Sequence, residues 1–346
     1  MLWIEKYRPV SFEEIVGQER VVGRMSHFAA ARSVPHMILA GPPGTGKSVS
    51  VECLANALYG DFAPENLTVI PTSDLFSQGR KFLEREERYA HLYRPEESVL
   101  SNFKRIIREY ASLKPLDAEF KLLVFEGASS LPREAQQALR RIMERSSRTC
   151  RFVYCTCHPS AIIPAIASRC LPLFFSPIPD DLVASHLRMI IDRERGPENT
   201  VGNDDLGLVV AAAHGDLRKA VMLLQVLSET GRESGFRALS ESETGQLALA
   251  AFSAIRNGDF PAACRRVENL MIEYGLSARE VLRELSSAAK RDFNDPRIAT
   301  VLGDGDANLI HGHNEFIQLN AVVVKLATIV RENQGPANSP DLQASS

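Results

Sequence analysis

No run of about 18 consecutive apolar residues occurs in this 346-residue chain, so it lacks the length of apolar helix needed to cross a bilayer. The opening Met1-Leu2-Trp3-Ile4-Glu5-Lys6 has no hydrophobic stretch of the secretory kind, and a cytoplasmic location with no membrane partner is expected. Charge of one sign is also missing. Forty Lys and Arg against 43 Asp and Glu leave a net charge of -3, with a pI near 6.3, so any nucleic-acid contact requires a local basic face and not a whole-molecule field. Cysteine is thin: Cys53, Cys150, Cys155, Cys157, Cys170 and Cys264 are scattered, mostly in apolar settings that suit buried thiols in a reducing compartment. Cys155-Thr156-Cys157-His158 has a metal-like look, but it continues the strand-like Arg151-Phe152-Val153-Tyr154 and no second ligand pair follows, as structural zinc requires.

What the chain does have is a complete phosphate loop, Gly41-Pro42-Pro43-Gly44-Thr45-Gly46-Lys47-Ser48. Its glycines let backbone N–H groups close around phosphates, Lys47 supplies the countercharge, and the Ser48 hydroxyl reaches Mg²⁺ at a helix N-terminus. The setting agrees: Met37 to Ala40 reads as a strand and Val49 to Tyr59 as the helix after it. ATP with Mg²⁺ is the expected cofactor.

Further apolar runs at Leu67 to Ile70, Phe120 to Phe125, Phe152 to Cys157 and Leu171 to Phe175 alternate with helical patterns. This predicts an α/β domain with a doubly wound parallel sheet over residues 1–175. After Ser176-Pro177-Ile178-Pro179-Asp180 the strand signals stop. A small helical lid is expected over 176–232, with Gly215 ending one helix and Asp216 capping the next. Gly231 to Gly235 reads as a linker. Leu247 to Ile255, Phe260 to Tyr274, Ala278 to Arg291 and Phe316 to Arg331 read as amphipathic helices of an all-α domain over 236–332. The polar, proline-bearing 333–346 predicts a disordered tail.

Several tracts together resemble the small subunit of replication factor C, the archaeal and eukaryotic sliding-clamp loader of the AAA+ class. They are Trp3-Ile4-Glu5-Lys6-Tyr7-Arg8-Pro9, Val16-Gly17-Gln18-Glu19, the phosphate loop, Gln136 to Arg141, Ser168-Arg169-Cys170, Gly215-Asp216-Leu217-Arg218-Lys219, and a late Ile317-Gln318-Leu319 with Leu326 in the collar helix. The resemblance implies a P-loop AAA+ domain, a lid and an oligomerising collar. It implies a hetero-pentameric arc with a large subunit and other small subunits, acting in DNA replication to open a sliding clamp and place it on primer–template DNA. By the same resemblance Tyr7, Arg8 and Pro9 lie against the adenine, with Val16 and Gly17 in that wall. Arg218 is similar to the lid arginine that reaches the γ-phosphate. Arg169 is similar to the finger projected in trans into a neighbour's site, where a fixed cation stabilises charge on the transferred phosphoryl group.

The hydrolytic strand departs from the family, and this Walker B segment is degenerate. Where active members have Asp-Glu-Ala-Asp, this chain reads Glu126-Gly127-Ala128-Ser129. Glu126 can still serve the Mg²⁺ shell, whereas Gly127 has no side chain to handle water, and Cys157 stands where a polar sensor, usually Asn, is found. The expectation is a subunit that binds ATP, cleaves it weakly or not at all, and lends Arg169 to an active neighbour. An ordinary hydrolytic subunit, with Glu126 serving both metal and water, is the main alternative. A phosphate-loop kinase and a AAA+ branch-migration motor with a winged-helix third domain are further ones. Asp74 to Glu97 reads as a charged, solvated insertion, and Lys104, Arg105 and Arg108 as candidates for DNA phosphate contact.

Overall fold

The computed structural model describes residues 1–194, 202–240, 243–292, 295–312 and 314–334. The chain divides into two compact units, Met1–Phe236 and Arg237–Ser346.

The first unit is built on five parallel strands, β1 (Met37–Ala40), β2 (Leu67–Pro71), β3 (Lys121–Glu126), β4 (Cys150–Thr156) and β5 (Leu171–Phe174), in the order β2-β3-β4-β1-β5. Helices cover both faces, so β3 and β4 are buried almost throughout and read as continuous apolar runs. The helices of the sheet domain are α1 (Trp3–Lys6), α2 (Glu19–Ala30), α3 (Lys47–Tyr59), α4 (Ala63–Asn66), α5 (Thr72–Gln78), α6 (Arg80–Arg85), α7 (Val99–Ser112), α8 (Arg133–Ser146) and α9 (Pro164–Ala167). Helix α7 shows why such segments fold as they do. Ser98 caps it by accepting from the Ser101 N–H at 3.1 Å, and Phe103, Ile106, Ile107 and Ala111 share one buried face. That face meets a ladder of rings on the sheet, where Phe125 stacks with Phe152 at 6.1 Å and with Tyr154 at 5.1 Å. Each such pair is worth about 0.5–1.5 kcal/mol beyond its burial.

The segment from Asp74 to Glu97, expected to be solvated, is instead part of this core. Leu75, Phe82, Leu83 and Tyr89 are buried in the same cluster as Phe103 and Phe125. The charged residues Arg80, Lys81, Arg85 and Arg88 occupy its outer side.

His36 pins β1 to β4. Its Nδ1 accepts the Phe152 N–H at 3.0 Å, and burial, helped by Arg151, pushes the imidazole down to about 4 from 6.5. An imidazolium cannot accept that bond. Between these two pKa values the unfolded chain binds the proton better than the folded one, so the His36 contribution is complete above pH 6.5 and is lost as pH falls toward 4. Urea unfolding is expected to lose about 1–2 kcal/mol more between pH 7.5 and 5 in the wild type than in His36→Ala. Parallel losses in the two proteins would refute this.

The lid helices α10 (Asp180–Glu194), α11 (Asn203–Ala213) and α12 (Leu217–Ser240), the last running past the unit's end at Phe236, complete the first unit. Gly231 to Gly235, read from sequence as a linker, lies inside α12. Its two glycines cost about 1 kcal/mol each in helix propensity, a small handicap in a 24-residue helix.

The second unit consists of α13 (Glu243–Arg256), α14 (Phe260–Ile272), α15 (Ala278–Asp292), α16 (Pro296–His311) and α17 (Glu315–Gln334), with no strand among the described residues. Phe252, Leu270, Val281, Leu285, Leu319, Val323 and Leu326 form its core. Asp259 caps α14 by accepting from the Ala262 N–H at 3.1 Å. Of the expected tail, residues 335–346 lie outside the described residues.

Candidate functional site

A cavity of about 360 Å³ opens in the first unit, where the phosphate loop, the opening segment and the lid converge. It lies beyond the carboxyl ends of β1 and β3, where open parallel sheets place their ligands. Tyr7, Arg8, Pro9, Val16, Gly44, Thr45, Gly46, Ser48, Glu126 and Arg218, all singled out from sequence, line it. Gly17, Gly41, Pro42, Pro43 and Lys47 are not in its lining. Gly17 packs instead toward Ile178 and Leu182, and the other four shape the phosphate loop behind the cavity: Lys47 Nζ donates to the carbonyls of Gly41 at 2.8 Å and Pro42 at 2.5 Å.

The loop has the backbone its glycines allow. Gly44 sits at φ +65°, and a Cβ there would come within 1.6 Å of the Asp216 carboxylate. The Leu217 N–H donates to Gly44 O at 3.2 Å, so the loop touches the start of α12. Asp216 caps that helix, accepting the Lys219 N–H at 2.9 Å. The close approach brings Arg218, in the first turn of α12, into the cavity opposite Ser48 at the start of α3.

Two cations, Lys47 and Arg218, stand close to one another at the phosphate loop. Burial pushes the Lys47 ammonium below its ordinary value, with the Cys157, Cys155 and Asp216 side chains opposing and Arg218 reinforcing the shift. An entering phosphate would offset that desolvation. Arg8 is held in a two-pronged pair with Glu52 of α3, Nε to Oε2 at 2.8 Å and Nη2 to Oε1 at 2.5 Å. Its guanidinium is pushed above its ordinary value by Glu52, burial opposing.

Ser48 and Glu126 both present oxygen to the cavity, a donor set suited to a hard cation such as Mg²⁺. Glu126 ends β3 beside Cys155 of β4, and its carbonyl accepts the Thr72 hydroxyl at 2.5 Å. Gly127 follows in the left-handed region at φ +63°, where an added Cβ would meet Ser73 Oγ at 2.8 Å. Cys157, just past β4, is exposed.

Arg169 is elsewhere. It follows α9, is not part of the cavity lining, and donates through Nη2 to Glu144 Oε1 at 2.8 Å and through Nη1 to Ala165 O at 2.8 Å. Burial pushes the Glu144 carboxyl up, but Arg140 and Arg169 outweigh it and hold it below its ordinary value. Of the basic residues on α7, Arg108 is exposed and Lys104 half-buried. Arg105 is half-buried, donating to Leu92 O at 3.1 Å and pairing with Glu97, so Arg108 is the more open of the two arginines.

Several lining residues carry no sequence signal of their own: Trp3, Ile4, Glu5, Ile15, Val49, Ile178, His186, Leu217 and Val221. Trp3, Ile4, Glu5 and Leu217 sit inside recognised tracts, whereas nothing marks His186, which burial and Arg193 push below its ordinary value.

Residues 249–325 match the model of the replication factor C C-terminal domain, and residues 17–179 match that of the DNA polymerase III delta subunit. The chain is 31% identical to the replication factor C small subunit of Methanococcus maripaludis, over 94% of this chain and 98% of that protein. With small subunit 1 of Pyrobaculum aerophilum the identity is 33%, over 98% of each chain. With the Aeropyrum pernix small subunit it is 33%, over 96% of this chain and 97% of the relative. Among solved structures, a variant of Thermotoga maritima RuvB superposes with TM-score 0.53 at 15% identity, covering 82% of this chain and 91% of that one. Aeropyrum pernix Orc1, solved in complex with DNA, gives TM-score 0.54 at 17% identity, covering 82% and 85%. The fold is an α/β AAA+ domain with a helical lid, followed by an all-α domain.

Proposed function

Because this chain belongs to the replication factor C small-subunit family, we propose that it is one subunit of a hetero-pentameric clamp loader. In that complex it binds Mg·ATP as the assembly opens a sliding clamp and places it on primer–template DNA. The observation that carries this reading is the cavity itself. One pocket gathers the phosphate loop, the opening segment at Tyr7 to Pro9, and Arg218 from the lid.

The parts have separable tasks. The first-turn N–H groups of α3 and Lys47 hold the phosphates, while Tyr7, Pro9 and Val16 face the base. Arg218 makes lid closure depend on the terminal phosphate. When bound, Mg²⁺ would be held by Ser48 and Glu126 and would neutralise phosphate charge. Arg108, with Lys104, offers α7 to the DNA backbone. The helical second unit supports a collar and not a winged helix.

Binding asks nothing of the position after Glu126, but hydrolysis does. Gly127 has no group to orient water, and Cys157 hydrogen-bonds weakly. We therefore read the chain's own site as one that holds ATP and turns it over poorly, with Arg169 serving the neighbour. Lys47→Ala is expected to weaken a fluorescent ATP analogue by about 10- to 100-fold, the worth of a charged hydrogen-bond donor. Binding indifferent to that substitution would remove the phosphate loop from the account.

A further inference from the structure

The opening segment is tied to the lid by residues that do not themselves line the cavity. Buried Trp3 donates its backbone N–H to Gln225 Oε1 of α12 at 2.8 Å. Tyr7 Oη donates to Glu194 Oε1 at 2.7 Å, and Lys6 Nζ reaches the same oxygen at 2.5 Å. Glu194 is the last residue of α10, 187 positions along the chain from Tyr7. Its side chain is 18% exposed against 46% for Lys6, so the carboxylate is the sheltered member of the pair. The Arg193 guanidinium stands 6.0 Å from the Tyr7 ring centre. On its other side the segment is fixed to α3 by the Arg8–Glu52 pair.

Trp3, Tyr7 and Arg8 line the cavity, whereas Glu194 and Gln225 do not. The wall made by residues 3–8 is therefore held partly by the lid. The Lys6 arm is a surface ion pair and contributes little by itself. Here one carboxylate oxygen takes two long-range donors and fixes the Tyr7 phenol through a charge-assisted hydrogen bond.

We propose that Glu194 is a positioning residue for the nucleotide base: by gripping Tyr7 and Lys6 while the Arg8–Glu52 pair holds α3, it clamps the opening segment between lid and sheet domain and so sets the wall of the base pocket. The proposal rests on the nucleotide reading given above. Two supporting shifts agree with the geometry. The Glu194 carboxyl is held below its usual range by Lys6 and then Tyr7, and the Tyr7 phenol is pushed up to about 12 by burial and then Glu194.

The experiment compares ATP with inorganic tripolyphosphate, which has the charges but no base, on the full chain. Glu194→Ala is expected to weaken ATP about tenfold and to leave tripolyphosphate unchanged. Glu194→Gln, whose amide oxygen can still accept from Tyr7, should return ATP to within about threefold of wild type. Tyr7→Phe keeps the ring and removes the hydroxyl; it should weaken ATP in the same direction and add nothing on top of Glu194→Ala. Should Glu194→Ala not fold, Tyr7→Phe and Glu194→Gln carry the test. Unchanged ATP affinity in Glu194→Ala and Tyr7→Phe, or equal weakening of ATP and tripolyphosphate, overturns the proposal. A wild-type chain that binds neither ligand overturns the nucleotide reading itself.

Discussion

Arg169→Ala, built into an assembled loader with clamp and primed DNA, is expected to silence one neighbouring ATPase site while leaving nucleotide affinity at this chain's own loop unchanged. The reason is geometric. Arg169 follows α9 and is absent from the lining of its own cavity, so it has no role toward its own ATP. Its guanidinium is one-third exposed, with Glu144 as its carboxylate partner. That pair is screened and readily exchanged for a stronger anion. Trans arginines on transferring phosphoryl groups are worth about 10³ to 10⁵ in rate. Total turnover should nonetheless fall only partly, because other sites keep their own fingers. Glu144→Gln is a useful companion, since it frees Arg169 without removing it and should leave turnover intact. If Arg169→Ala leaves both ATPase and clamp loading at wild-type levels in a complex that still assembles, Arg169 is a surface residue and nothing more.

A single substitution that places an acid directly after Glu126 is expected to fail. General-base and water-positioning groups contribute about 10²- to 10⁴-fold, and the glycine at position 127 offers no side chain of that kind. Placing the acid there as Gly127→Glu meets two obstacles. At φ +63° any side chain is strained by about 1–2 kcal/mol. The new Cβ would also press on Ser73 Oγ at 2.8 Å and Ser73 Cβ at 3.2 Å. The double variant Gly127→Glu/Ser73→Gly removes the contact and should hydrolyse ATP measurably faster than Gly127→Glu alone. Steady-state phosphate release measures both. Full activity in the single variant would mean that the backbone at residue 127 adapts freely and that the glycine has no structural cause.

Much of the fold was legible because burial writes itself into composition. Strands β1 to β5 are short apolar runs with helices on both faces, and each was placed to within a few residues. Helix α16 was not. Its Gly305 sits in mid-helix, where a Cβ would come within 2.6 Å of Val322 on α17. The glycine is a packing residue that imitates a break. Glycine likewise made Gly231 to Gly235, which lies within α12, read as a linker.

In the charged segment after β2, the abundance of Arg and Glu hid Leu75, Phe82, Leu83 and Tyr89, which bury a core face. The site divides in the same way. The phosphate loop is readable because its chemistry needs consecutive residues, and Arg218 because it lies in a recognised tract. His186 and Glu194 are not, since their positions depend on how α10 packs and on partners far away in sequence. Arg105 is a related case: a basic residue announces charge, but only the structure shows that Glu97 and the Leu92 carbonyl engage it.

The chemical fate of bound nucleotide tests the central claim most directly. Purified chain is loaded with Mg·ATP, separated from free nucleotide, and the bound nucleotide is identified over time. The account predicts saturable binding that depends on Lys47, with the bound nucleotide recovered as ATP and with hydrolysis about 10²- to 10⁴-fold slower than in a relative with an intact hydrolytic strand. Recovery as ADP at such a relative's rate would contradict it, and would make this chain an ordinary ATPase that uses Glu126 for both metal and water.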